Sequence, residues 1–133
     1  MKRSDDKWKK VLSKEQFEVL RKKATEAPFS GNFLYNEDNG TYICGACHAQ
    51  LFDSNAKFNG NCGWPSFNNV INNKAVTLKE DRSHGMQRVE VLCSSCGSHL
   101  GHVFHDAPNQ PTGMRFCINS IALDFIPKNK KSK

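Results

Sequence analysis

Long apolar runs are absent: the longest, such as those at 121–123 and 91–93, span only a few residues, whereas a helix crossing a bilayer needs about 20. No membrane-spanning helix is expected. Residues 1–10 are charged and no apolar stretch or small-residue cleavage site follows, so no secretory leader is read and the expected compartment is the cytoplasm. There is no internal repeat and no βαβ pattern. The body of the chain also lacks a basic excess. Residues 1–10 carry five basic and two acidic side chains and residues 127–133 four basic and none acidic, which leaves 11–126 with ten basic and eleven acidic. The net positive charge therefore belongs to the ends, and no nucleic-acid footprint is expected on the folded surface. What is present suffices for a core: 38% apolar, 10% aromatic and 24% charged residues in a chain of 133 place it outside the disordered class and within one domain. The expected organisation is a basic N-terminal tail at 1–10, one domain at 11–126 and a Lys-rich tail at 127–133.

One helix signal stands out. Ser13 with Gln16 forms a capping box, Leu12 and Phe17 a hydrophobic staple, and Phe17, Leu20 and Ala24 one apolar face, so a helix is predicted over 14–25. Pro28 ends it. Turn residues are then dense, at 38–40, 59–61, 62–65, 72–73, 83–85 and 108–113. Between them Val89 and Val91 alternate with Arg88, Glu90 and Leu92, and Ile121, Leu123 and Phe125 with Ala122, Asp124 and Ile126, at the period of a strand. The fold expected is mainly β and antiparallel.

Four of the six cysteines form two CxxC pairs, Cys44 with Cys47 and Cys93 with Cys96, separated by 45 residues. Each follows a strand-like apolar residue and has small residues between the thiols, the arrangement of a metal knuckle. Two knuckles make a tetrahedral four-thiolate site, which suits one structural Zn2+ in a small domain. A disulfide framework fits a secreted chain instead, and a thioredoxin-like redox pair would come with a βαβ unit. His48, beside Cys47, is a spare ligand.

Cys62 and Cys117 remain, 55 positions apart. Cys62 lies in a Gly/Asn loop ahead of Gly63-Trp64-Pro65. Cys117 lies on an extended segment where Arg115, Cys117 and Asn119 share a face, and a cation on that face favours the nucleophilic thiolate. Read alone, Cys117 is equally a buried apolar residue. His99 and His102 flank a glycine and supply groups able to move a proton near neutral pH, and Trp64 is positioned to wall a pocket.

Taken together, Thr25-Glu26-Ala27-Pro28-Phe29-Ser30-Gly31, the two CxxC pairs, Gly63-Trp64-Pro65-Ser66-Phe67, His99-Leu100-Gly101-His102-Val103-Phe104, Pro111-Thr112-Gly113 and Arg115-Phe116-Cys117-Ile118-Asn119-Ser120 resemble the methionine sulfoxide reductases of the B type, an enzyme class specific for one sulfoxide epimer. The resemblance implies two small antiparallel sheets in a β-tent-like arrangement with an N-terminal helix and a zinc clamp away from the active site. It implies reduction of methionine R-sulfoxide, in proteins or free. Cys117 then attacks the sulfoxide sulfur, either His99 or His102 protonates the departing oxygen, Arg115 and Asn119 position the thiol and the sulfoxide, and Trp64 receives the methyl group. Cys62 matches the resolving cysteine, whose disulfide with Cys117 thioredoxin opens. The partners implied are thioredoxin and oxidised proteins or peptides, with no organic cofactor, and the chain is expected to be a monomer.

Two rivals come from other classes. A non-catalytic zinc-held β module that docks a protein partner explains the knuckles but not Cys62, the paired imidazoles or the Arg-Cys-Asn strand. A Cys-His hydrolase needs thiol and imidazole but no second cysteine and no reductant.

Overall fold

The computed structural model describes residues 8, 10, 12–22, 33, 36, 38–58, 63–72, 74–82, 88–108 and 110–127. Within these, Ser13 opens helix α1 (Lys14–Leu20) as predicted: its hydroxyl accepts from the Gln16 N–H at 3.1 Å, and the Gln16 side-chain oxygen accepts from the Ser13 N–H at 3.0 Å. The helix ends at an Arg21 cap, and residues 23–25 of the expected helix lie outside the described residues. Phe17, Val19 and Leu20 are its buried side chains. Arg21 leaves the helix end and donates to the Cys96 carbonyl and the Ser98 hydroxyl, both at 3.1 Å.

Nine strands follow among the described residues: β1 (Gly40–Cys44), β2 (Gln50–Asp53), β3 (Lys57–Phe58), β4 (Ser66–Phe67), β5 (Val76–Asp81), β6 (Arg88–Cys93), β7 (His99–Phe104), β8 (Arg115–Ile118) and β9 (Leu123–Pro127). They form two antiparallel sheets, of order β2-β1-β9 and β3-β4-β8-β7-β6-β5. The fold is mainly β, with two antiparallel sheets, as the sequence reading expects. One strand starts later than predicted. Residues Ser120–Ala122 make a 3-10 turn, which takes Ile121 out of the final strand and leaves Leu123 and Phe125 as its alternating apolar pair.

Aromatic side chains join the sheets. Phe52 of β2 stacks on Phe67 of β4 with centroids 4.3 Å apart, Tyr42 of β1 meets Phe67 edge-on at 5.1 Å, and Phe52 reaches Phe116 of β8 at 5.9 Å. Each such pair adds about 0.5–1.5 kcal/mol beyond area burial. The larger sheet is two-faced: Phe67, Val91, Val103, Phe116 and Ile118 are buried on the core side. Its opposite side carries the chemistry.

Candidate active site

Strand alternation, together with one irregularity, decides what that opposite side holds. Directly opposed residues share a face of a sheet, and the register sets Glu90 against His102, His102 against Cys117, and Cys117 against Ser66. Two residues along, Asp81 opposes Arg88, and Phe104 opposes Arg115. On a regular strand His99 would point away from His102, since residues three apart alternate faces. A bulge prevents this. The register passes from Val91–Gly101 to Leu92–His99, so Leu100 is an extra residue that returns His99 to the face of His102. The two rings lie 5.5 Å apart, edge to face.

Asn119 clamps the bulge. Its backbone N–H and its side-chain Nδ2 both donate to the Leu100 carbonyl, each at 3.0 Å. Gly101 lets β7 approach β8: a Cβ there would lie 2.1 Å from the Cys117 carbonyl oxygen and 3.0 Å from the Ile118 Cα. Gly63, at a φ of 86° that favours glycine, precedes Trp64, and the Pro65 carbonyl accepts from the Ile118 N–H at 3.0 Å. The loop bearing Trp64 is thereby fastened to the strand bearing Cys117.

A pocket results, lined by Trp64, Arg88, Gly101, His102, Phe104, Cys117 and Asn119. Of the residues expected at a site, it brings together Trp64, His102, Cys117 and Asn119. His99 stands behind them, its Nδ1 2.7 Å from Oε2 of Glu90, with both side chains only 3% exposed. His102 turns Nε2 to Oδ2 of Asp81 at 2.8 Å. Arg115 shares the strand face with Cys117, but its guanidinium makes a two-pronged contact with Asp106 at 2.9 and 2.8 Å and lies 4.7 Å over the Phe104 ring. That hydrogen-bonded pair holds the Asp106 carboxyl below the usual carboxylate range. The cationic side chain in the lining is Arg88, which sequence reasoning passed over as a polar strand residue. Its period-two alternation with Val89 was visible, yet nothing local distinguishes a pocket residue from a solvated one. Cys62, the other expected thiol, lies outside the described residues, as does the 25–31 segment.

At the far end of the sheets Cys44 closes β1 and Cys93 closes β6, so each sheet contributes one CxxC pair. The turns are alike. In both, the cysteine N–H donates to the carbonyl five residues on (Ala49, Ser98) and its own carbonyl accepts from the residue four on (His48, Gly97). That fourth residue is left-handed in both, His48 at φ 67° and Gly97 at φ 78°. His48 is thus a turn residue, and the described group that could hold a metal ion is the four cysteines alone.

Their Sγ atoms all lie within 4.8 Å of one another, with Cys44–Cys96 at 3.8 Å and Cys47–Cys93 at 3.5 Å. A disulfide has an S–S bond of about 2.05 Å, whereas four thiolates about 2.3 Å from a common ion stand roughly 3.8 Å apart. The spacing fits a tetrahedral metal site. Hydrogen bonds to Cys93 and Cys96, then burial, raise the Cys44 thiol far above its ordinary range. For Cys93 the bond to Cys44 acts downward, but the bond to Cys96 and burial prevail and push it up to about 12. Cys96, accepting from Cys44 and Cys93, is driven well down. Without a cation the cluster therefore holds protons that a metal ion displaces.

Fold and site together define a β-domain with a four-cysteine cluster that could hold a metal ion and a cysteine–histidine pocket on the polar face of its larger sheet. The chain belongs to the SelR domain family, whose model matches residues 12–127. It is 58% identical over 123 residues to a peptide methionine sulfoxide reductase MsrB of Methanosarcina barkeri (strain Fusaro / DSM 804), covering 92% of this chain and 86% of that protein. A protein of the same name from Methanosarcina mazei is 53% identical over 131 residues, 98% and 93% of the two chains, and one from Leptospira interrogans is 52% identical over 123 residues, 92% and 93%.

Proposed function

We propose that the protein is a peptide-methionine (R)-S-oxide reductase. The observation that carries this reading is the meeting of Cys117, His102, Asn119 and Trp64 in one pocket of a chain whose relatives are named peptide methionine sulfoxide reductase MsrB. Cys117 attacks the sulfoxide sulfur as thiolate, and His102, which lines the pocket as His99 does not, protonates the departing oxygen. The products are methionine and a Cys117 sulfenic acid. Cys62 attacks that sulfenic sulfur, releasing water and forming a disulfide, and a dithiol protein of the thioredoxin kind reduces it by exchange. Asn119 holds the β7 bulge and presents its amide to the sulfoxide. Arg115 acts with Asp106 in keeping the strand of Cys117 in place, and Trp64 with Phe104 forms the apolar wall for the methyl group.

Cys44, Cys47, Cys93 and Cys96 hold one Zn2+, chosen over harder cations by four soft thiolates. Zinc there supplies folding free energy and no redox chemistry. The domain is assigned to 11–126 together with Pro127, which ends β9, and Trp8, which is buried in the core; it acts as a monomer in the cytoplasm on oxidised proteins, peptides or the free amino acid. No described helix is long and apolar enough to cross a membrane. A non-catalytic binding module would account for the four thiols and leave the pocket without a role.

The test is to give separated R and S epimers of a methionine sulfoxide peptide to the metal-loaded protein with a small dithiol and to quantify methionine. Reduction of the R epimer alone is expected. If folded protein reduces neither, the reading fails. A Cys62→Ser variant is expected to keep dithiol-driven turnover and to lose thioredoxin-driven turnover.

A further inference from the structure

Two imidazoles stand on one face of the larger sheet, and each is held by a carboxylate from a different strand through a different ring nitrogen. Glu90 of β6 takes Nδ1 of His99, and Asp81 of β5 takes Nε2 of His102. A carboxylate can only accept, so each contacted nitrogen carries the hydrogen. For His102 this has a definite chemical meaning. With Nε2–H committed to Asp81, Nδ1 is the nitrogen left for a substrate in the pocket, and Nδ1 donates a proton only from the doubly protonated ring.

Asp81 is built into the sheet for this contact. Its side chain is 18% exposed and that of His102 13%. Its strand partner Arg88 places Nη2 3.5 Å from the same Oδ2 and also lines the pocket. The charged and titratable groups facing His102 are Asp81 from β5, Arg88 and Glu90 from β6, His99 from its own strand, and Cys117 with Arg115 from β8. Glu90 is engaged by His99 and Arg115 by Asp106, so Asp81 is the anion in direct contact with the His102 ring. Arg88 favours the ionised form of that anion.

We propose that Asp81 is the positioning residue of the reaction: it orients His102 through Nε2 and sustains the doubly protonated ring that releases the Nδ1 proton to the sulfoxide oxygen, while Arg88 secures Asp81. The logic is that of a carboxylate that orients a catalytic imidazole and stabilises its cation. It rests on the reductase reading, and R-epimer turnover by the unaltered protein separates the two: without that turnover the reductase reading fails first.

The test has three readouts. Nitrogen-15 NMR titration of His102 in the unaltered protein is expected to show Nε2 protonated throughout and Nδ1 losing its proton; the opposite tautomer overturns the proposal. Asp81→Asn keeps an acceptor near Nε2 and removes the charge. It is expected to lower kcat by roughly tenfold or more, below the ~10²–10⁴ that general acid catalysis itself contributes, with KM within about twofold, and to move the limb on which activity falls with rising pH to lower pH. Asp81→Glu is expected to recover part of both. If Asp81→Asn binds metal, melts like the parent and keeps the parent's kcat and pH limb, Asp81 has no positioning role.

Discussion

Gly101 and Gly97 are small residues retained for different reasons, and substitution separates them. At Gly101 a methyl group meets the backbone of β8, which cannot move aside without carrying Cys117 with it. Gly101→Ala is expected to cost about 1–3 kcal/mol through overpacking and to abolish most turnover, read by denaturant midpoint and by methionine release. A Cβ at Gly97 meets nothing within 4 Å but needs φ 78°, so Gly97→Ala is expected to cost only about 1 kcal/mol. His48 is the converse case, a side chain held at φ 67°, and His48→Gly relieves that strain. Asp106 shows how a pair sets a pH window. Its carboxyl is depressed in the folded chain by Arg115, so its contribution is present above the unfolded value of about 3.9 and disappears as pH falls through the folded value. Carboxyl NMR titration of Asp106 is expected to give a midpoint below the ordinary one, returning toward it in Arg115→Ala. With the Asp106 side chain 52% exposed, the stability involved is small.

Among the elements, α1 and β7 show what a sequence discloses locally and what it withholds. The capping box at Ser13 was legible because both halves lie three residues apart, and Ser13→Ala is expected to cost about 1 kcal/mol, measured by thermal melting. The strand of Cys117 was equally legible, since Arg115, Cys117 and Asn119 alternate with the buried Phe116 and Ile118. β7 was not. Two histidines three apart fit one face of a strand only with an extra residue between them, and the bulge at Leu100 depends on Asn119, which lies 19 positions further along. Asn119→Ala leaves the Leu100 carbonyl with the backbone donor alone, so about 1 kcal/mol of stability is expected to go, together with the alignment of the two rings. Asp81, Arg88 and Glu90 were unreadable as site residues for the same reason: their partners are set by pairing between distant segments, and exposed and buried charges look alike in a string of letters.

At the scale of the whole molecule the four-thiol cluster joins what the aromatic core joins from the other end, since Cys44 closes a strand of one sheet and Cys93 a strand of the other. The CxxC spacing made the ligands legible without any knowledge of the sheets. Because the thiols of Cys44 and Cys93 sit above their ordinary range, metal binding releases protons, and affinity is expected to rise with pH and to fail on acidification. Competition with a chromophoric chelator at a series of pH values checks the direction. Removing the metal with a chelator at neutral pH is expected to lower the melting temperature sharply and to loosen both knuckles together, seen as faster amide exchange of Cys44 and Cys93.

The position of β9 has a consequence for how the chain is made. It forms an edge of the three-stranded sheet beside β1, so a segment synthesised early waits for one synthesised some eighty residues later. On a ribosome releasing about 5–20 residues per second, β1 and β2 emerge several seconds before their third strand and spend that time as a lone hairpin with an open edge. Both thiol pairs, however, precede β9 in the chain and emerge before it. A metal ion captured by the four thiols before β9 emerges would hold β1 against the larger sheet, so that metal present during translation is expected to raise the yield of folded protein above that obtained when it is added afterwards, measured by cell-free synthesis with early and late addition.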